Sequence, residues 1–393
     1  MLTYLGLVDN QLKPMRVIFR TFFLFIVVLT SLMAIAHASQ VTLTFNVPAS
    51  TPADSKIYLT GAGASLCNWK TDCIEMQEIQ PGVYQKTILL PDSQTGLEFK
   101  VTRGSFDNES ADAHGNALSN SEISVTANAS YVQNVVNWKD LGPMGITGNV
   151  QIYQNIASPQ LGNERNISVW FPEDYDSSGD TRYPVIYMHD GQNVFDPSTS
   201  TNGVDWGMDE TMARLTEAGT VPGAIVVAVD CNPQDRSAEY DYTQKGSLYA
   251  DFLIQTVKPM IDARFRTLPD RDHTFVMGSS MGALISLALV WHHPEVFSRA
   301  AGLSLPGTTL NKVVYKILGN PQQPSMPVRI YMDYGDQTLD AAYLEEDPRV
   351  IQFIQNAGFD DSNFTHLFFP YAGHSEADWS RRLAIPTQWI LSN

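Results

Sequence analysis

Hydrophobic and polar positions change rhythm twice along the chain. A single apolar run, Phe22–Ala36, stands near the start. From residue 40 to 138, short stretches alternate apolar and polar side chains. They are Val41-Thr42-Leu43-Thr44-Phe45-Asn46-Val47, Ile57–Leu59, Gly82–Leu90, Leu97–Thr102 and Ile123–Val125, with turn residues between them. A period of two puts successive side chains on opposite faces of a strand, so this region is predicted to be a small all-β sandwich. From residue 148 the pattern becomes short continuous apolar runs separated by longer helical stretches. Ile167–Phe171, Val185–Met188, Ala224–Val229, Thr274–Met277, Ala300–Leu303, Val328–Asp333 and Leu367–Phe369 read as strands, and Ser247–Ala263 and Met281–His292 as helices. Such alternation implies an α/β region whose mostly parallel sheet is covered on both faces. Residues 139–147, with glycines and Pro143, form the predicted linker between the two regions.

Composition and charge narrow the picture. At 393 residues the chain exceeds one ordinary domain, and its 44% hydrophobic content is normal for a globular protein. Lys13, Arg16 and Arg20 precede the apolar run, and Ala36-His37-Ala38 ends it before Ser39. That order is the pattern of a signal peptide over residues 1–38, with Met15 as an alternative start and an uncleaved anchor as the alternative reading. Its removal takes away three basic residues and one acidic residue, so the net charge goes from −17 to −19. Strong acidity argues against nucleic acid and anionic lipid surfaces as partners. A secreted or periplasmic protein, not stably inserted in a membrane, is expected. Cys67 and Cys73 are close enough in sequence to pair in an oxidising compartment, while Cys231, just past an apolar strand, reads as an inert core thiol. No cysteine–histidine spacing suggests a zinc site, and no cofactor is called for.

Candidate chemistry centres on Gly278-Ser279-Ser280-Met281-Gly282, which follows an apolar strand and opens an apolar helix. A serine on a sharp strand-to-helix turn is lifted clear of the backbone and sits at the positive end of a helix. Ser280 is the candidate nucleophile. His374, beyond the last strand in Tyr371-Ala372-Gly373-His374, is the candidate base, whereas His292 and His293 sit at a helix end and read as caps. An acid between them in sequence completes the order Ser…Asp…His. Asp336 and Asp340 both qualify by spacing, and Asp333 lies within the strand and reads as structural. The amide of Met281 is the first oxyanion donor. The second is the amide of Gln192 in the turn His189-Asp190-Gly191-Gln192-Asn193, where His189 is read as structural.

Residues from about Gly148 to Asn393 resemble the putative esterase family of α/β hydrolases. That family includes enterochelin esterases, feruloyl and acetyl-xylan esterases, S-formylglutathione hydrolases and mycolyltransferase-like proteins. The likeness rests on His189–Asp196, on Asn232, Arg236, Glu239 and Tyr240, on Gly278–Ala283, and on Gly373-His374 with Trp379. Gly335-Asp336-Gln337-Thr338-Leu339-Asp340 resembles a Gly-Thr-x-Thr-Leu-Asp loop of one subgroup, which implies that Asp340 is the acid although Asp336 stands where that pattern has threonine. The resemblance further implies that Trp206 stacks on a sugar or aromatic acyl group, and that Arg236 and Glu239 line the substrate side. Core packing for Trp206 and a structural ion pair for Arg236 and Glu239 are the alternatives. The sandwich region resembles the starch-binding type of carbohydrate-binding module through Leu66–Trp69, Phe99–Phe106 with Glu109, and Asn134–Trp138. Polysaccharide binding there, with Trp69 against a pyranose face, stands beside a plain immunoglobulin-like spacer.

The expectation is an exported serine esterase of the α/β-hydrolase fold, working through an acyl-enzyme on acyl or feruloyl esters of carbohydrate. A siderophore esterase or an acyltransferase on the same scaffold is the alternative. A glycan-binding protein with a vestigial hydrolase domain is the alternative from another class.

Overall fold

The computed structural model describes residues 39–91, 94–125, 128–142, 144–307, 313–319 and 324–392. The expected signal peptide lies outside the described residues. No helix among them is long and apolar enough to cross a membrane.

In the first region β1 (Ser39–Asn46) pairs antiparallel with β5 (Val83–Leu90) and parallel with β9 (Ala129–Asn134), and β4 (Gln77–Gln80) extends the sheet beyond β5. The second sheet runs β3 (Ile74–Glu75), β2 (Tyr58–Gly61), β6 (Gly96–Thr102), β8 (Ser121–Ser124), while β7 (Ser110–Ala111) and β10 (Asn137–Trp138) form a small pair. Val41, Leu43 and Phe45 of β1 meet Phe99 and Val101 of β6 in one core. The Phe45 and Phe99 rings cross edge to face with centroids 5.8 Å apart. A Cys67–Cys73 disulfide closes the short loop that carries Trp69.

The second region is built on an eight-stranded sheet. Its order is β11 (Asn149–Ser158), β12 (Asn163–Phe171), β14 (Ile225–Val229), β13 (Val185–His189), β15 (Thr274–Ser279), β16 (Arg299–Leu303), β17 (Arg329–Gly335), β18 (Phe364–Phe369). β11 and β12 join antiparallel at one edge, and every pairing from β14 to β18 is parallel. The expected fold class therefore holds. The central strands carry apolar residues on both faces because both faces are covered. One face packs under α2 (Arg236–Tyr240), α3 (Gln244–Phe252), α4 (Lys258–Arg264), α5 (Met281–His292), α6 (Val313–Leu318) and α7 (Asp347–Asn356). The other lies against α1 (Met208–Glu217), α8 (Glu376–Arg382) and α9 (Ala384–Leu391). Met281 to Trp291 of α5 are all buried, which is why that helix reads apolar all round.

One element differs from expectation. The continuous helix over Ser247–Ala263 is α3, a π turn at Leu253–Val257, and α4. Pro259 has no N–H to donate and its ring crowds the carbonyl one turn earlier, and the wider turn before it relieves both. The predicted linker is fastened at its end. Thr147 donates its N–H to Asp209 Oδ2 (2.6 Å) and its hydroxyl to Glu210 Oε1 (2.9 Å), and its carbonyl accepts from Trp170 Nε1 (2.8 Å).

The sandwich also holds the far end of the hydrolase region. Asn46 Nδ2 donates to the Tyr371 carbonyl (2.8 Å), Gln80 Nε2 to the Pro370 carbonyl (3.1 Å), and Asn134 Nδ2 to Asp378 Oδ2 (2.8 Å). These acceptors flank His374 in sequence.

Candidate active site

Strand β15 ends at Ser279 and helix α5 begins at Met281, so Ser280 alone makes the turn. Its backbone is at φ 55°, ψ −124°, a conformation that L residues avoid and that costs about 1–3 kcal/mol. The surroundings hold it there: Ser280 N donates to the Leu303 carbonyl at 2.9 Å. A Cβ at Gly278 would lie 2.6 Å from the backbone of Gly282, so only glycine lets the helix fold back so tightly over its strand. The Met281 amide is the first of α5, where backbone N–H groups lack intrahelical acceptors.

Ser280, Ser304, Asp340 and His374 follow the C-terminal ends of β15, β16, β17 and β18, which are neighbours in the sheet. That edge is where parallel α/β sheets present reactive groups. His374 Nδ1 is 2.7 Å from Asp340 Oδ1. The other carboxylate oxygen of Asp340 accepts from Ser304 Oγ (2.6 Å) and from the Gly335 amide (2.9 Å). Asp340 is fully buried, so its charge is held by these donors and by Arg382, whose Nη2 is 3.9 Å away. The imidazole stands edge-on to Tyr343 and Trp379, at 5.9 Å and 5.1 Å between centroids, and the His374 amide donates to Thr338 Oγ1 at 2.8 Å. The structure thus brings His374 and Asp340 together. Among the described residues no hydrogen bond joins the Ser280 hydroxyl to His374.

Asp336, the other candidate acid, faces elsewhere. Its Oδ1 accepts from the Tyr371 amide (2.7 Å) and from Gln337 Nε2 (2.9 Å), which braces the loop leading to His374.

Gln192 lies in the turn Gly191–Asn193 after β13. A Cβ at Gly191 would come within 2.6 Å of the backbone of Ala228 and Val229, so the turn is pressed onto β14. Asp190 carries the turn: Arg236 grips its carboxylate at both oxygens (2.6 and 2.7 Å), and its amide donates to the Tyr240 hydroxyl at 3.1 Å. A Cβ at Gly282 would sit 3.4 Å from Asp190 Oδ2, so this turn and the Ser280 turn are neighbours. The Gln192 side chain is tied to Cys231 through Nε2 to Sγ (3.4 Å) and the Cys231 amide to Oε1 (3.2 Å). Burial pushes the Cys231 thiol up to about 12, which keeps it inert at neutral pH. His189 is buried, and burial holds its pKa down to about 3 while Nδ1 bonds the Tyr249 hydroxyl at 2.9 Å. A ring so hard to protonate is a structural group.

Two of the expected substrate-side residues require correction. Trp206 is only 1% exposed and packs against Trp379, with centroids 5.5 Å apart, so its indole belongs to the core beneath α1 and presents no face to a ligand. Glu239 is buried in a two-pronged structural ion pair, made with Arg165 (3.0 and 3.1 Å) and not with Arg236. Arg236 touches the site indirectly, through Asp190.

Ser304 and Arg382 were not singled out from sequence. The Ser304 hydroxyl accepts from Arg382 Nη2 (2.9 Å) and Trp379 Nε1 (2.9 Å), which leaves its proton for Asp340. Its place immediately after an apolar strand was the available signal. Arg382 also holds Asp333 Oδ1 through Nη2 at 3.0 Å, which gives the in-strand aspartate a structural role.

Residues 158–388 match the family model described as putative esterase, and residues 40–135 match that of the starch binding domain. The uncharacterized protein YbbA of Bacillus subtilis (strain 168) is 18% identical over 257 residues, covering 60% of this chain and 96% of its own. Among solved structures, the enterobactin esterase FES of Shigella flexneri, in the presence of enterobactin, superposes with a TM-score of 0.51 at 16% identity, covering 85% of this chain and 87% of its own. The BES protein of Bacillus cereus superposes with a TM-score of 0.50 at 18% identity, covering 63% of this chain and 97% of its own. Likeness at this level shows a shared fold.

Proposed function

Because the chain belongs to the putative esterase family and is a carboxylic ester hydrolase, we propose that it works as a serine esterase through an acyl-enzyme, with Ser280, His374 and Asp340 as its catalytic residues. The Ser280 hydroxyl attacks the ester carbonyl as His374 Nε2 takes its proton. Asp340, bonded at Nδ1, keeps the ring in the tautomer whose Nε2 is free and stabilises the imidazolium that follows. The amides of Met281 and Gln192 receive the oxyanion, where preorganised donors act without reorganising. Collapse of the tetrahedral intermediate expels the alcohol, which carries off the proton from His374. Water, deprotonated by the same ring, then releases the acid and restores Ser280. The observation that carries this reading is the buried Asp340–His374 pair at 2.7 Å, on strand ends adjoining a strained serine turn.

We further propose that the substrate is an acyl or feruloyl ester on carbohydrate and that the sandwich binds glycan. Support comes from the starch binding domain match over residues 40–135. Export is proposed on the sequence pattern of residues 1–38 and agrees with the Cys67–Cys73 disulfide. A second reading, hydrolysis of a catecholate siderophore ester, draws on the enterobactin esterase likeness, whose 85% coverage reaches beyond the hydrolase region. Parallel kcat/KM measurements on acetylated and feruloylated oligosaccharides and on enterobactin separate the two. Preference for the sugar esters by about tenfold or more supports the first reading, and the reverse preference refutes it. Retained turnover in Ser280→Ala would refute the mechanism for either substrate.

A further inference from the structure

Helix α1 starts in a cluster of buried carboxyl groups. One carboxylate oxygen each from Asp205, Asp209 and Glu210 lies within 4.8 Å of the others. Asp205 and Asp209 are 1% and 0% exposed. Part of each carboxylate is already engaged: Asp205 by its own amide and that of Gly207, Asp209 by the Thr147 amide, and Glu210 by the Thr147 hydroxyl. Asp205 Oδ1, Asp209 Oδ1 and Glu210 Oε2 are nevertheless buried without a donor from outside the cluster, and Asp209 and Glu210 bond each other only when one of them holds a proton. The charged groups that act most strongly on the two aspartates, Glu210 foremost, are themselves acidic.

Buried carboxylate oxygens are costly to leave unpaired, and three of them side by side repel one another. The first turn of a helix favours negative charge through its dipole, which works against satisfying them with protons alone. Fixed hard oxygen donors with free lone pairs suit an alkaline-earth cation. Calcium holds oxygens at about 2.3–2.6 Å, so two ligands of one ion stand up to about 5 Å apart, and it tolerates irregular ligand sets. Magnesium demands a smaller, near-ideal octahedron. The site opens on a cleft of about 610 Å³ between the two regions, lined by Ile146, Thr147, Gly207, Glu210, Arg214 and Ser380 among others, through which water and an ion can reach Glu210. Neither Ser280 nor His374 lines that cleft.

We propose that Asp205, Asp209 and Glu210 form a calcium site at the junction of the sandwich and the hydrolase region. Thr147 bonds two of the three carboxylates, so the ion ties the connecting segment to the start of α1. That start in turn follows the loop running on from Gln192. Binding there stabilises the junction of the two regions and takes no part in ester cleavage.

The full chain is stripped with EDTA, dialysed, and followed by scanning calorimetry and titration calorimetry with CaCl2, MgCl2 and MnCl2 in turn. Calcium is expected to bind one per chain and to raise Tm by about 3 °C or more at about 1 mM, by mass action on the folded state, with magnesium doing less. Asp209→Asn is expected to lose the response while its metal-free Tm stays near or above that of the wild type, since the amide keeps the shape and removes a buried carboxyl that faces Glu210. Asp205→Asn serves the same purpose should that variant fail to fold. Absence of binding heat, with Tm shifts below about 1 °C for all three ions, would overturn the proposal in favour of shared protons. An undiminished calcium response in both folded variants would overturn it by placing the ion elsewhere.

Discussion

Replacing Asp340 by asparagine keeps the shape of the side chain and removes its charge, and the surroundings dictate which way the amide points. Ser304 Oγ already accepts from Arg382 and Trp379, so its proton faces Asp340, and the Gly335 amide adds a second donor at 2.9 Å. The carbonyl of the substituted side chain must take that side, which turns its NH2 toward His374 Nδ1. An NH2 there needs Nδ1 as an acceptor, so the ring carries its proton on Nε2, the atom that receives the serine proton in the proposed mechanism. The variant therefore loses both the tautomer and the counter-charge. Where a triad aspartate is neutralised in this way, kcat falls about 10,000-fold, equivalent to about 5.5 kcal/mol of barrier. Initial rates on a chromogenic acetate ester, with Tm as the check on folding, measure it. Asp336→Asn is the control: its carboxylate faces the Tyr371 amide, so a loss of about tenfold or less is expected, through a looser histidine loop. A folded Asp340→Asn enzyme that keeps more than about a tenth of kcat would refute the reasoning, as would a loss of about 10,000-fold confined to Asp336→Asn.

Ser304→Ala strands the Trp379 donor, takes one acceptor from Arg382 and leaves Asp340 Oδ2 with the Gly335 amide as its one close donor. It is expected to lower kcat tens of fold with little change in KM and to cost about 1–3 kcal/mol of stability, read from rates and denaturant unfolding. An unchanged kcat would deny Ser304 a positioning role. Asn46→Ala with Asn134→Ala removes one of the sandwich's bonds to the loop before His374 and its bond to helix α8 after it, and kcat is expected to fall severalfold while the hydrolase core stays folded. Equal rates for variant and wild type would show that the sandwich does not support the loop. His189 has its pKa held down to about 3 by burial, so the unfolded ring takes a proton below about 6.5 while the folded ring does not. The stability it contributes is present above about pH 6.5 and is lost as pH falls from there toward about 3. Thermal melts across that window should decline less steeply in His189→Asn, and parallel slopes would contradict the assignment.

The strand–turn–helix around Ser280 was legible because its causes are local: an apolar strand, glycines where a Cβ collides, and an apolar helix. The parallel strands were legible for the same reason, as runs buried on both faces. β11 was not read from the sequence. It is an edge strand with mostly exposed or half-buried positions and a bulge between Tyr153 and Ile156, so it carries no clean period. The choice between Asp336 and Asp340 turned on a few residues of loop geometry, which spacing cannot supply. Trp206 and Glu239 misled for a related reason. Both lie near the ligand side in sequence, yet their partners, Trp379 and Arg165, come from distant segments, and only packing decides burial. Ser304 had no side-chain signature, since its hydroxyl matters through three side chains contributed by helix α8 and the loop after β17.

The central claim is that Ser280 becomes acylated. Incubating the full chain with a fluorophosphonate ester and mapping the adduct by peptide mass spectrometry tests it directly. One adduct per chain, on the Ser280 of the peptide containing Gly278–Gly282, with loss of esterase activity in proportion to labelling, is the predicted result. Labelling at Ser279 or at another residue, or full inactivation with Ser280 unmodified, would contradict the account.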